Sequence, residues 1–152
     1  MIAIGSDNGG YELKCSVIEY LEKKGVEYKD FGCYDRSSCD YPDFAVKACS
    51  AIVEGICDKA LLFCGTGIGI SIAANKVPGI RAACCSDVFS AKFTRLHNDA
   101  NVLCLGGRVV GTGLALELVE TFLTTKFEGG RHSRRVEKIK EIEINSRSCQ
   151  NN

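Results

Sequence analysis

Short apolar runs alternate with longer amphipathic stretches from one end of this chain to the other. Ile2-Ala3-Ile4, Val26 to Phe31, Ala60 to Cys64, Arg81 to Cys85 and Val102 to Leu105 read as five short buried strands. Between them, apolar positions at helical spacing predict helices over 11–24, 43–54, 70–76, 87–96 and 112–124. Regular alternation of strand and helix implies crossover connections and a parallel sheet covered on both faces. The expected fold is therefore a three-layer α/β/α, Rossmann-like domain with a five-stranded parallel sheet. Ligands of such sheets bind beyond the carboxyl ends of the strands, where the order of connections reverses. Asp7-Asn8, Cys64 onward, Asp87 and Gly106-Gly107-Arg108 fall at those ends, and His97-Asn98 closes the fourth helix.

Residues 131–144 interleave charges with Val136, Ile139, Ile142 and Ile144, a spacing that gives an extra C-terminal helix one apolar face. The helix follows a complete five-strand unit and the flexible Gly129-Gly130, so a partner subunit is its expected support, which favours a symmetric oligomer. Residues 145–152 are polar and aperiodic and are expected to be a disordered tail. No repeat or long linker divides the rest, so residues 1–144 read as one domain.

Composition narrows the partners. The 152 residues are 45% hydrophobic, enough for one sizeable core. Nineteen basic residues balance nineteen acidic ones, so no global charge draws the chain to nucleic acid or to a membrane surface. No stretch approaches the roughly 18 apolar residues of a membrane span, and the N-terminus runs straight into a strand without a leader-like pattern. The expectation is a soluble, cytosolic protein with a small-molecule partner. Ten cysteines suggest a disulfide scaffold, yet they are scattered through apolar segments and read mostly as small core residues. There is no Cys-x-x-Cys pair, and the only histidines, His97 and His132, lie far apart in sequence, so zinc-ligand spacing is missing and no metal is expected.

The segment Cys64-Gly65-Thr66-Gly67-Ile68-Gly69 carries the most chemical information. It places a thiol where a buried strand empties into a helix, beside a row of backbone N–H groups that glycine leaves open to a ligand. Such a loop suits anions or developing oxyanions, and it favours the thiolate. A dinucleotide site fits poorly: the spacing is Gly-x-Gly-x-Gly, the loop follows the third strand, and Pro78-Gly79 soon stops the helix. A cysteine phosphatase needs a cation at the far end of the loop, where Ile70 stands. A hydrolase built on Cys64 and His97 lacks an evident third residue to orient the imidazole. Arg131 and Arg135, four apart on one side of a helix, suit a phosphate clamp, although the Arg131, His132, Arg134, Arg135 cluster is by default a solvated basic face. Arg108 reaches the same crevice from beyond the fifth strand. A thiol, an anion hole, an imidazole and arginines describe a sugar-phosphate enzyme better than a hydrolase.

Several motifs in order carry a resemblance: Gly5-Ser6-Asp7-Asn8-Gly9-Gly10, Asp40-Tyr41-Pro42, Cys64 to Lys76, His97-Asn98-Asp99-Ala100-Asn101-Val102, and Gly129-Gly130-Arg131-His132 followed by Arg135-Val136. Over residues 1–144 the chain resembles the B-type ribose-5-phosphate isomerases of the ribose/galactose isomerase family. The resemblance implies aldose–ketose isomerisation of D-ribose 5-phosphate and D-ribulose 5-phosphate through an enediolate, in the non-oxidative pentose phosphate pathway, with neither metal nor organic cofactor. It implies Cys64 as the base, Gly65, Thr66, Gly67, Ile68 and Gly69 around the enediolate oxygens, and His97 as the acid/base that opens the sugar ring. Asp7 and Asn98 would position the sugar, Tyr41 would line the site, and Arg108, Arg131 and Arg135 would hold the phosphate. It also implies a homodimer, or a dimer of dimers, with the active site at the subunit interface. The family commonly has His where this chain has Asn8, which puts a phosphate contact by Asn8 in question. Galactose 6-phosphate and allose 6-phosphate isomerases are the alternatives within the family, and a sugar-phosphate or nucleotide-binding module without turnover is the alternative outside it.

Overall fold

The computed structural model describes residues 1–148. Along the chain run β1 (Ile2–Ser6), α1 (Tyr11–Lys23), β2 (Tyr28–Asp30), α2 (Tyr41–Val53), β3 (Lys59–Cys64), α3 (Ile68–Ala74), β4 (Ala82–Cys84), α4 (Val88–Asn98), β5 (Val102–Gly106), α5 (Thr112–Thr124) and α6 (Arg131–Ser148). The five strands form one sheet in the order β2-β1-β3-β5-β4, and every pairing is parallel. The predicted β2 and β4 shrink to three residues each. Both are sheet edges, where only one neighbour supplies a ladder.

Period-two alternation splits the core in two. On one face Ile4, Leu61, Phe63, Leu103 and Leu105 pack against α1, α4 and α5 through Leu13, Val17, Ala91, Leu118 and Phe122. On the other, Ala3, Ala60, Leu62, Cys64 and Cys104 meet α2 and α3 through Ala45, Ala48, Cys49 and Ile70. The small residues on this second face let the two helices sit close to the strands. Helix α2 starts at Tyr41, two residues before the predicted boundary, because Pro42 suits a first helical turn.

Helix α6 runs four residues past the predicted 144, through Ser148, so residues 145–148 are helical rather than disordered; the remainder of the expected tail lies outside the described residues. Both carboxylate oxygens of Glu143 accept the Gly79 N–H, at 3.0 and 3.1 Å, tying α6 to the turn before β4. Val136 is buried, whereas Ile139 and Ile142 on the predicted apolar face are exposed. Among the described residues, no helix is long and apolar enough to cross a membrane.

Connections leave β1 toward β2 on one side, while β3 lies on its other side, so the order reverses between β1 and β3. The register pairs Ser6 with Phe63 and Cys64 with Gly106. Asp7, Cys64 and Gly107 thus emerge together at the carboxyl edge, where this topology places its ligand crevice.

Candidate active site

Cys64 ends β3 with its side chain buried against the second core face. The Gly67 N–H donates to its Sγ at 3.1 Å. Gly67 caps α3 in the left-handed region, at φ +78. A Cβ there would lie 2.8 Å from the Leu105 carbonyl carbon and 2.9 Å from the Gly106 nitrogen, so conformation and space both require glycine. The Ile68 N–H donates to Thr66 Oγ1 at 3.2 Å. The expected row of open N–H groups is therefore partly turned inward: two of them hold the thiol and Thr66, because so short a loop must close the first turn of α3.

Two further loops are laced to this one. The Asp7 N–H donates to the Phe63 carbonyl at 3.1 Å, and Asp7 Oδ1 accepts the Gly10 N–H at 3.0 Å. From β5, the Gly107 N–H donates to the Cys64 carbonyl at 2.8 Å and the Arg108 N–H to that of Gly65 at 2.9 Å. The Arg108 guanidinium crosses Gly65, and the Tyr41 ring covers Gly69. Asn8 Oδ1 accepts the Cys39 N–H at 3.5 Å, joining the loop after β1 to the one before α2. One edge of the sheet thus gathers Asp7, Asn8, Tyr41, Cys64 to Gly69 and Arg108.

His97, Asn98, Arg131 and Arg135 stand elsewhere. Helix α4 runs back against the strands, and its eleven residues rise about 16 Å, which carries His97 and Asn98 to the opposite edge of the sheet. The end of α4 is pinned: Arg81 Nε donates to the Asn98 and Asp99 carbonyls at 3.1 and 3.0 Å, and Arg95 Nη1 donates to Asp99 Oδ1 at 2.9 Å. Asp99 itself takes a left-handed conformation, φ 45, that stops the helix. His97 stacks on His132 with centroids 4.0 Å apart and an 8° interplanar angle, while Phe93 meets His97 edge-on at 4.9 Å.

His132 departs from the solvated basic face expected of its cluster, being only 2% exposed. The turn at Gly129-Gly130 tips the start of α6 against α4, and the ring is covered there. Burial first, and next the His97 imidazole and the Arg131 guanidinium, hold its pKa below the usual histidine value. Arg131 Nε donates to His132 Nε2 at 3.4 Å. Glu128 Oε2 lies 3.6 Å from His97 Nε2 and 3.9 Å from His132 Nε2. The two histidines, far apart in sequence, are thus neighbours in space. A cavity of about 470 Å³ opens beside them, lined among others by Cys84, Phe93, His97, His132 and Arg135.

Among residues that sequence reasoning missed, Arg81 and Arg95 fix the end of α4, and Glu128 faces both imidazoles. His97-Asn98 was legible as the close of α4; Glu128 carried no signal, since its contact depends on a bend at two glycines. The nine described cysteines are free thiols. Burial pushes Cys49 up to about 12 and Cys85 up to about 11, which keeps both protonated and inert. Cys84 is exposed, with Sγ 3.8 Å from the Thr66 carbonyl.

Residues 2–139 match the model of the family described as Ribose/Galactose Isomerase. In a solved structure, ribose-5-phosphate isomerase B of Clostridium thermocellum, the similar chain is 55% identical, with a TM-score of 0.94 over 95% of this chain and 98% of that one. Ribose-5-phosphate isomerase B of Escherichia coli is 48% identical over 142 residues, 93% of this chain and 95% of the relative. D-erythrulose-4-phosphate isomerase of Pectobacterium atrosepticum is 45% identical over 140 residues, 91% of each. With a family match over nearly the whole fold and relatives of this identity, the chain belongs to the ribose/galactose isomerase family of sugar-phosphate isomerases.

Proposed function

We propose that the chain interconverts D-ribose 5-phosphate and D-ribulose 5-phosphate through an enediolate, with Cys64 as the base. The Cys64 thiolate takes the proton from C2 of the open-chain aldose and returns it to C1 of the enediolate, and the reverse reaction runs the same steps backward. A carbon-bound proton beside a carbonyl is only weakly acidic, so stabilising the enediolate matters more than the strength of the base. The Thr66 hydroxyl and those N–H groups of the 65–69 loop that are not turned inward onto Cys64 and Thr66 supply that stabilisation. The observation that carries the reading is the Gly67 N–H on Cys64 Sγ at the reversal of connection order, with the Arg108 guanidinium across the same loop.

His97 opens the furanose ring, with Asn98 and Asp7 orienting the sugar. Arg108, Arg131 and Arg135 hold the phosphate, a non-reacting handle whose binding energy fixes the reacting carbons against Cys64. Because α4 carries His97 to the edge of the sheet opposite Cys64, one chain supplies two half-sites, and a symmetric pair of chains completes each site. Exposed Ile68 and Ile72 beside the Cys64 loop, and exposed Phe89 on α4, offer apolar surface next to both halves. The chemistry needs neither a metal nor an organic cofactor.

The test is turnover of D-ribose 5-phosphate by the wild-type protein in the presence of a chelator, beside Cys64→Ala. The wild type is expected to be active, and the variant to lose on the order of 10³-fold in kcat while still binding substrate, the scale of a positioned proton-transfer group. A Cys64→Ala variant with near-normal kcat rejects the thiol as base. The Pectobacterium relative motivates a second reading, a shorter substrate, and erythrulose 4-phosphate run as a competitor decides between the two by kcat/KM. Allose 6-phosphate serves as the six-carbon control.

A further inference from the structure

We propose that His97, Glu128 and His132 form a binding site for one borderline-soft divalent cation of the Zn²⁺ or Co²⁺ class. One ligand atom from each lies within 4.8 Å of the other two, and both imidazole Nε2 atoms face the same carboxylate oxygen. Three elements hold this arrangement. The Glu128 N–H donates to the Leu96 carbonyl at 3.1 Å, which fastens Glu128 beside His97. Gly129 and Gly130, both at positive φ, bend the chain, and the His132 N–H donates to the Gly129 carbonyl at 3.0 Å.

Tetrahedral zinc with bonds of about 2.0–2.1 Å sets its ligand atoms about 3.3–3.5 Å apart. The carboxylate-to-imidazole distances of 3.6 and 3.9 Å approach that, and the exposed Glu128 side chain is free to close the gap. The stacked rings need one rotation about Cβ–Cγ so that both lone pairs point at the ion, and His97, partly exposed, is the ring that can turn. Arg131 Nε must release His132 Nε2. Arg131 and Arg135 oppose any cation alike, whereas a donor set of two imidazoles and one carboxylate disfavours hard cations such as Mg²⁺ and Ca²⁺ and suits the metals for which imidazole is a good ligand. The adjoining cavity admits the ion and gives water room to complete its coordination.

An ion held there occupies His97, so it inhibits the isomerase. This second consequence rests on the ring-opening role proposed for His97, whereas binding does not, so the two fail separately. Co²⁺ added to the full-length, chelator-stripped protein is the probe. Visible d–d bands saturating at one ion per chain, without a thiolate-to-cobalt charge-transfer band, are expected, and Glu128→Gln should weaken binding at least about 10-fold. A thiolate band, or equal Co²⁺ affinity in wild type and Glu128→Gln, overturns the site. Zn²⁺ at the concentration that fills the site should inhibit the wild type, while Glu128→Gln keeps its basal turnover and resists inhibition at that concentration. A wild type that binds the ion through Glu128 and turns over undiminished overturns the inhibition and leaves the site standing.

Discussion

Gly67 joins backbone geometry to chemistry. Its left-handed φ turns the N–H onto Cys64 Sγ, and its missing Cβ lets the loop lie against the end of β5. Gly67→Ala combines roughly 1–2 kcal/mol of backbone strain with a contact against main chain that cannot move aside. The thiol and the enediolate donors shift together, so kcat should fall about 10²-fold in a protein that is still folded; a variant with unchanged kcat would mean that the Gly67–Cys64 contact is incidental. Asn8 offers a milder probe. Its side chain reaches the Cys39 N–H, and it donates only neutral hydrogen bonds, whereas histidine at this position is able to carry charge. Asn8→His is expected to leave kcat similar and to lower KM for the sugar phosphate. A collapse in turnover with normal folding would assign Asn8 another role.

Among the elements, α1 and β2 are joined by a buried cation. Lys14 is 1% exposed; its ammonium donates to both oxygens of Asp30, at 2.9 and 2.7 Å, and to the Cys33 carbonyl at 2.6 Å. The pair fixes the start of the loop that leads to Tyr41. Lys14→Met strands a partly buried carboxylate and a carbonyl, so stability should fall by about 3 kcal/mol, the lower end for a broken buried pair because Asp30 reaches solvent. Urea unfolding measures this, and a loss under about 1 kcal/mol would show that the pair hardly outweighs its own desolvation. Element boundaries divide along the same physical line between local and distant causes. His97-Asn98 marks a helix stop locally and the period-two runs mark the strands, whereas the start of α2 at Tyr41, ahead of Pro42, lies two residues before the predicted boundary. The run of α6 past residue 144 was not legible, since residues 145–148 are polar and aperiodic in the sequence. The buried state of His132 was not legible either, because it follows from α4 and α6 packing together rather than from the charges beside it.

For the whole molecule, the resemblance carried by the motifs implied both a set of site residues and an active site shared between subunits. Asp7, Asn8, Tyr41, the Cys64 loop and Arg108 converge because the strand order brings the ends of β1, β3 and β5 together, and alternation alone pointed to that edge. His97 ends α4, which runs antiparallel to the strands and away from the Cys64 loop, and the proposal of a site shared by two copies rests on that separation. Hybrid dimers of Cys64→Ala and His97→Asn chains, separated by two different tags, measure this directly. In such a hybrid one of two shared sites keeps both wild-type groups, so turnover should return to roughly half the wild-type rate although each homodimer is inactive. A hybrid as inactive as its parents would contradict the account and place Cys64 and His97 of one chain in the same site.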